Sequence, residues 1–290
     1  MKKFAGLLLG AYLLSGGLGI LMAQDMASPP KVLTVFREFV KPGKAGALHE
    51  KSESAFVQAM TRAKWPTRYL AVNSLSGKPR TLFLTRYDSF EAWEKDALAT
   101  EKNATLSAAL DRAAVADGEL LSDIDASALV YHDEYSLRSS VDIPHMRYFE
   151  ISLYRVRPGH DADWDSIVKM VIAAYQKIPD AHWATYRAVY GQEGTTYVVF
   201  TPMKSAAEID QSFARSKQFM SAMGEDGMKK FSDLLAAAIE TSQHNLFVFS
   251  PKMSYPPDEW IKADPDFWKP KPSSTAAAPK KADEKPAANQ

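Results

Sequence analysis

The 290-residue chain has no cysteine. Thiol nucleophiles, thiolate metal sites and disulfide staples are therefore excluded, and the fold must be held by packing alone. It also lacks net charge, with 35 basic residues against 35 acidic ones, so nothing in its balance points to nucleic acid as a partner. No Gly-Xaa-Ser-Xaa-Gly elbow, phosphate-binding glycine loop or dinucleotide fingerprint occurs, which argues against the common hydrolase and nucleotide-enzyme mechanisms. Only one long apolar run is present. It spans Phe4 to Met22, follows Lys2 and Lys3, is broken by Gly10, Gly16, Gly17 and Gly19, and is followed by Ala23. Those features describe a secretory signal peptide over residues 1–23, with an uncleaved anchor as the alternative. Once cleaved, the protein is expected to be exported to the periplasm or beyond the cell, with no stable membrane insertion. At the other end, residues 269–290 are Pro, Ala, Lys and Ser with no aromatic residue, and five lysines face Asp283 and Glu284. Such a composition cannot bury enough surface to offset its ordering entropy, so a disordered basic tail is expected.

What lies between is 46% apolar overall and rich in pattern. Val32 to Val40 is a β-branched and aromatic run stopped by Lys41-Pro42-Gly43, and Arg147 to Val156 is another, stopped by Arg157-Pro158-Gly159. The two Pro-Gly corners stand 116 residues apart. After each comes an amphipathic helix. In the first, Leu48, Ser52, Ala55, Phe56, Ala59, Met60 and Ala63 share a face; in the second, running from Asp161 to Lys177, Trp164, Ile167, Val168, Val171, Ile172 and Tyr175 do. Two further strands, a helical stretch and a closing strand follow in both halves. The order βαββαβ builds an antiparallel sheet with its helices on one face. Two such units are expected, over residues 31–137 and 146–255, as a tandem duplication. Phe149, Ile151 and Leu153 point to one side of their strand while Tyr148, Ser152, Tyr154 and Val156 point to the other, so both sheet faces need cover, and packing sheet against sheet provides it.

The strand-(Lys/Arg)-Pro-Gly-helix junctions at Lys41-Pro42-Gly43 and Arg157-Pro158-Gly159, with the βαββαβ order and its repetition, resemble the dimeric α+β barrel superfamily of ferredoxin-like units. Its members include the antibiotic-biosynthesis monooxygenases, NIPSNAP-like and EthD-like proteins and haem-binding chlorite-dismutase-like proteins. The resemblance covers nearly all of the chain between its two ends. It implies an α+β barrel formed within one chain, with a small-molecule pocket between sheet and helices in each unit. Enzymes, haem proteins and members without known activity share that fold, so it implies no function.

The densest polar and aromatic stretch is His182 to Tyr190. Alternation places His182, Ala184, Tyr186, Ala188 and Tyr190 on one face, where a histidine can move a proton near neutral pH, tyrosines can orient a ligand and alanines leave room. His182 is thus the candidate catalytic residue, and Tyr186, Tyr190, Tyr154 and Trp164 are candidate ligand-binding residues. Tyr69 and Asn73 are their counterparts in the first half, where Trp65 replaces His182. The bland alternative is a surface histidine beside ordinary sheet tyrosines. His49-Glu50 and Glu53 read as a solvated helix face, one histidine short of a zinc-protease helix. Asp161 and Asp163 beside His160 read as helix-start residues, His132-Asp133-Glu134 as at most a weak cation contact, and His145 and His244 as residues without evident partners. No metal and no resident cofactor is expected, apart from haem, for which His182 is the sole nominated axial ligand. The leading expectation is an exported protein that binds a small aromatic or apolar molecule, with self-association open. A cofactor-independent monooxygenase using His182 as base is the first alternative. A structural or interaction protein with degenerate pockets is the second.

Overall fold

The computed structural model describes residues 28–269, so the segment expected to be a signal peptide and all but Lys269 of the expected tail lie outside the described residues. Eight antiparallel strands close into one barrel in the order β1-β3-β2-β8-β5-β7-β6-β4. The first half supplies β1 (Val32–Val40), helix α1 (Ala47–Ala63), β2 (Tyr69–Ser74), β3 (Arg80–Tyr87), α2 (Phe90–Lys102), α3 (Ala104–Gly118) and β4 (Leu121–Tyr131). The second supplies β5 (Tyr148–Val156), α4 (Asp161–Tyr175), β6 (Ala184–Tyr190), β7 (Thr195–Met203), α5 (Ala207–Ala238) and β8 (Ile239–Phe249). Two short helices, α6 (Asp258–Ala263) and α7 (Pro265–Trp268), follow. This is the α+β barrel expected. Each half contributes four strands in the same relative order, and the halves are joined through β2 with β8 and β4 with β6.

An eight-stranded barrel is just wide enough to be filled by side chains, and here it is. Leu33, Val72, Leu129, Ile151, Phe200 and Phe247 belong to one buried cluster, with Trp260 and Trp268 of the terminal helices packed into the same cluster. The alternation read from β5 is realised: Phe149, Ile151 and Leu153 join this core, while Glu150, Ser152 and Tyr154 face the cavity beside the helices. Both Pro-Gly corners make the expected strand-to-helix turns, with Gly43 at φ 76° and Gly159 at φ 85°. Helices α1 and α3 pack together outside the first half of the barrel, as α4 and α5 do outside the second. Helix α5 breaks at Gly224, where φ is 71° and ψ is 169°.

Two strand boundaries and one correspondence differ from the sequence reading. Strands β4 and β8 begin at Leu121 and Ile239, well before the apolar runs Ala128 to Tyr131 and Leu246 to Phe249 that the sequence marks as closing strands. Residues 122–126 and 240–244 are exposed and mostly polar, so they carry no apolar alternation; β4 holds its early part by pairing with β1, and β8 by pairing with β5. The second strands of the two halves also correspond differently. Val72 stands against Phe249 as Tyr186 stands against Tyr131, so Asn73 matches Arg187, and Tyr190 has no counterpart at Asn73. Among the described residues no helix is long and apolar enough to cross a membrane.

Candidate functional site

The space between the sheet and helices differs sharply between the halves. In the second half it is a cavity of about 870 Å³. Its walls are Tyr154 from β5, Trp164, Val168, Val171 and Tyr175 from α4, and Phe231 and Leu235 from α5. Trp164 stacks on Tyr197 with ring centroids 4.9 Å apart and meets Tyr154 at 5.4 Å. These contacts fix a rigid aromatic wall, since two rings that brace each other lose little further freedom when a ligand arrives. Burial pushes the Tyr154 hydroxyl above its ordinary pKa, with the Glu150 charge adding to the rise, so the phenol stays protonated and able to donate.

Polar groups gather on one part of this wall. Ser152 Oγ lies 2.8 Å from His244 Nδ1 and 3.3 Å from Glu150 Oε1, and His244 Nδ1 lies 3.7 Å from the same carboxylate oxygen. The ring of His244 meets Tyr154 edge-on at 5.5 Å. Glu208 and Arg215 of α5 line the cavity as well. An apolar chamber with a few converging polar groups is the usual form of a small-molecule site. Because His244 spends Nδ1 on Ser152, its Nε2 is the nitrogen left to serve a ligand.

The residues singled out from the sequence fall in several places. Tyr154 and Trp164 line the large cavity. His182 touches its edge, but both ring nitrogens face backbone carbonyls: Nδ1 lies 2.9 Å from Asp180 O and Nε2 2.8 Å from Pro202 O. A ring engaged on both sides has no lone pair directed at a ligand, so His182 pins a loop to β7 and does not suit the role of general base. Nor does it suit haem as nominated: each ring nitrogen has a backbone carbonyl oxygen within 2.9 Å, in the place an iron would have to take. Tyr186, with Ala184 and Ala188, points the opposite way, into the barrel core, where it meets Tyr131 and Phe200 edge-on. Trp183, just before β6, and Thr185 within it face the large cavity. Tyr190 is 67% exposed and meets Phe90 edge-on, outside both described cavities. His145 and His244, read as unpartnered, have partners in Asp142 and Ser152. A smaller cavity of about 130 Å³ at one end of the barrel is lined by Tyr69, Tyr186 and His182 together with Trp260.

In the first half, the space equivalent to the large cavity is filled by charge. Glu38 of β1, His49 and Glu53 of α1 and Asp117 of α3 are 5%, 2%, 2% and 1% exposed. His49 Nε2 lies 2.9 Å from Glu38, 3.7 Å from Asp117 and 3.9 Å from Glu53. Thr81 Oγ1 stands 3.4 Å from the other ring nitrogen and donates to Asn73 Oδ1 at 2.7 Å. Asn73 therefore serves this cluster. Tyr69 lies near enough for the charges of Glu53 and Glu38 to add to the upward shift that burial imposes on its phenol. Burial, reinforced by the charges of Glu38 and Asp117, pushes Glu53 up to about 10.

The two halves correspond point by point at this place. Glu38 and Tyr154 are each third from the end of a nine-residue strand. Buried His49, Glu53 and Ala59 recur in spacing as buried Trp164, Val168 and Ala174. Asp117 and Leu235 each precede the closing strand by four residues. Four ionisable side chains in one half thus stand where an aromatic and aliphatic cavity wall stands in the other. The solvated-face reading of His49 and Glu53 is corrected accordingly: Leu48, placed on the buried face from spacing, is 52% exposed, and the helix is turned to bury its charged stripe. The signals that could have found it are Glu38 inside an otherwise apolar strand end and the His49–Glu53 spacing of one helical turn.

No family model matches the chain, and no curated protein does. Solved structures share its course at low identity. An anthrone oxidase-like protein is 17% identical, with 77% of this chain and 93% of that one covered and a TM-score of 0.47. A proposed monooxygenase from Lactobacillus acidophilus NCFM is 5% identical over 76% and 94%, with a TM-score of 0.46. Chlorite dismutase from Candidatus Nitrospira defluvii, in complex with imidazole, is 7% identical over 83% and 98%, with a TM-score of 0.46. Likeness at this level says nothing about activity.

Proposed function

We propose that the protein is an exported binder of a small, largely apolar aromatic molecule, held in the second-half cavity. The observation that carries this reading is the cavity itself: about 870 Å³, walled by Tyr154, Trp164, Tyr175 and Phe231, at positions where the first half is packed solid with polar side chains. Stacked rings and aliphatic side chains favour a flat apolar ligand, and Ser152, His244 and Arg215 give it an orientation through hydrogen bonds. Export rests on the N-terminal sequence pattern, and the two halves are read as descended from one duplicated unit that has since specialised.

A second reading, an oxygenase-type enzyme, draws on the Glu150–Ser152–His244 group. His244 would take a proton from a phenolic ligand through Nε2, with Ser152 and Glu150 fixing the ring. A thermal-shift screen of the purified protein against phenols, quinones and polycyclic aromatics tests the first reading, with Val171→Trp as the filled-cavity control. Stabilisation by a subset of compounds, abolished in Val171→Trp, is expected. A flat response across the screen, or one unchanged by the filled cavity, would overturn it. Oxygen consumption with a bound phenol, lost in His244→Ala while binding persists, would establish the enzyme.

A further inference from the structure

We infer that Glu38, His49, Glu53 and Asp117 form a closed binding site for one divalent first-row transition-metal ion in the first half of the barrel. Each of the four residues offers a ligand atom, and these atoms all lie within 4.8 Å of one another. Two atoms bound to the same ion at about 2.1 Å can be no more than about 4.2 Å apart. The three separations from His49 Nε2, at 2.9, 3.7 and 3.9 Å, already satisfy that limit.

Convergence of acidic groups alone would not suffice. The independent observation is that both carboxylate oxygens of Asp117, and Oε1 of Glu53, are buried with no hydrogen-bond partner among the described residues. Buried polar atoms are nearly always paired, and an unpaired buried carboxylate is among the costliest groups a protein can hold. A cation between the three carboxylates and the imidazole would give Asp117 and Glu53 the partner they lack. The surroundings also have the form of a supporting shell. Thr81 meets the His49 nitrogen that does not face the carboxylates and is itself bonded to Asn73, which fixes the ring as hydrogen-bonded neighbours do around metal-bound histidines.

One imidazole with three carboxylates suits Mn²⁺, Fe²⁺ or Zn²⁺, whereas Ca²⁺ and Mg²⁺ favour oxygen ligands alone. None of the four residues is more than 5% exposed, so no position stays open for substrate and the ion is structural. It would tie β1, α1 and α3 together at the place where the second half leaves its cavity. This inference does not depend on what the second-half cavity binds.

Full-length protein purified without chelators should carry close to one ion per chain by plasma mass spectrometry. After stripping with EDTA, Mn²⁺, Zn²⁺ or anaerobic Fe²⁺ should raise the melting temperature and saturate at one equivalent. Asp117→Asn should weaken binding by at least about 10–100-fold, whereas Glu101→Gln, at an exposed site on α2, should leave it unchanged. A folded wild-type protein that holds no metal and does not respond to any of the three ions overturns the site, and so does binding that Asp117→Asn leaves intact. Should that variant not fold, X-ray absorption at the edge of the metal bound to wild type decides: a shell of light atoms including one imidazole is expected, and a shell without imidazole overturns the assignment.

Discussion

Replacing Asp117 by Asn should act in opposite directions on the metal-free fold and on the stability that metal adds. With the ion bound, the wild-type protein gains free energy by mass action, about 2.7 kcal/mol when free metal is 100-fold above the dissociation constant. For a folded body of this size that corresponds to a rise in melting temperature of about 5–10 °C. The Asn variant forfeits most of it. In chelator the balance reverses. Two charged carboxylates at the 4.8 Å outer limit of the cluster repel by roughly 3 kcal/mol at an effective dielectric constant near 20. Removing it should stabilise the metal-free fold by about 1–3 kcal/mol, less the cost of burying an amide. Paired thermal melts of wild type and Asp117→Asn, in EDTA and in excess Mn²⁺, would show the variant melting higher in EDTA and Mn²⁺ raising wild type by several degrees more than it raises the variant. A variant less stable than wild type by the same amount in both buffers would refute the reasoning, because Asp117 would then be an ordinary packing residue.

Three further outcomes follow from particular contacts. His182→Ala should lower stability by about 1 kcal/mol through loss of the hydrogen bond its ring donates to Asp180 O or Pro202 O, yet change ligand affinity less than threefold in a fluorescence titration; abolished binding would return His182 to the site. Gly191→Ala should be severely destabilising, since a β-carbon there would lie 1.9 Å from the Ala126 carbonyl oxygen at a φ of +75°; a chemical denaturation midpoint within experimental error of wild type would contradict the β4–β6 junction described above. Val171→Trp should leave the melting temperature within a few degrees, because the added ring enters open space, while ligand response disappears; a large drop in stability would contradict open space beside Val171.

The barrel was legible because its cause is local and repeated. Two Pro-Gly corners after β-branched runs, each followed by an amphipathic helix, imply strand-turn-helix units, and the side-chain alternation of β5 implies a sheet covered on both faces. What could not be read was which face of β6 meets the helices. Tyr186 and Thr185 are neighbours, and a shift of one residue exchanges core for cavity; the phenols looked like ligand contacts, but the alanine and tyrosine face turned into the barrel. The charged cluster was hidden for a related reason. Glu38, His49, Glu53 and Asp117 come from three elements spread over the first half, and on α1 the polar stripe is buried while Leu48 is exposed. Hydrophobic periodicity finds the C-terminal part of the buried face, where Ala59, Met60 and Ala63 pack, but misses its N-terminal turns, where the buried residues are the charged His49 and Glu53. Tyr154 and Trp164 were found because an aromatic residue on the helix-facing side of a strand or helix fits a wall by either argument.

The most direct measurement of the central claim, that one half binds and the other is closed, is a titration with an environment-sensitive naphthalene sulfonate probe followed by displacement with the best phenol from the screen. One probe per chain is expected, with emission enhanced on binding, intrinsic tryptophan emission quenched through Trp164, and both signals lost in Val171→Trp. Two probes per chain, or binding indifferent to Val171→Trp, would contradict it.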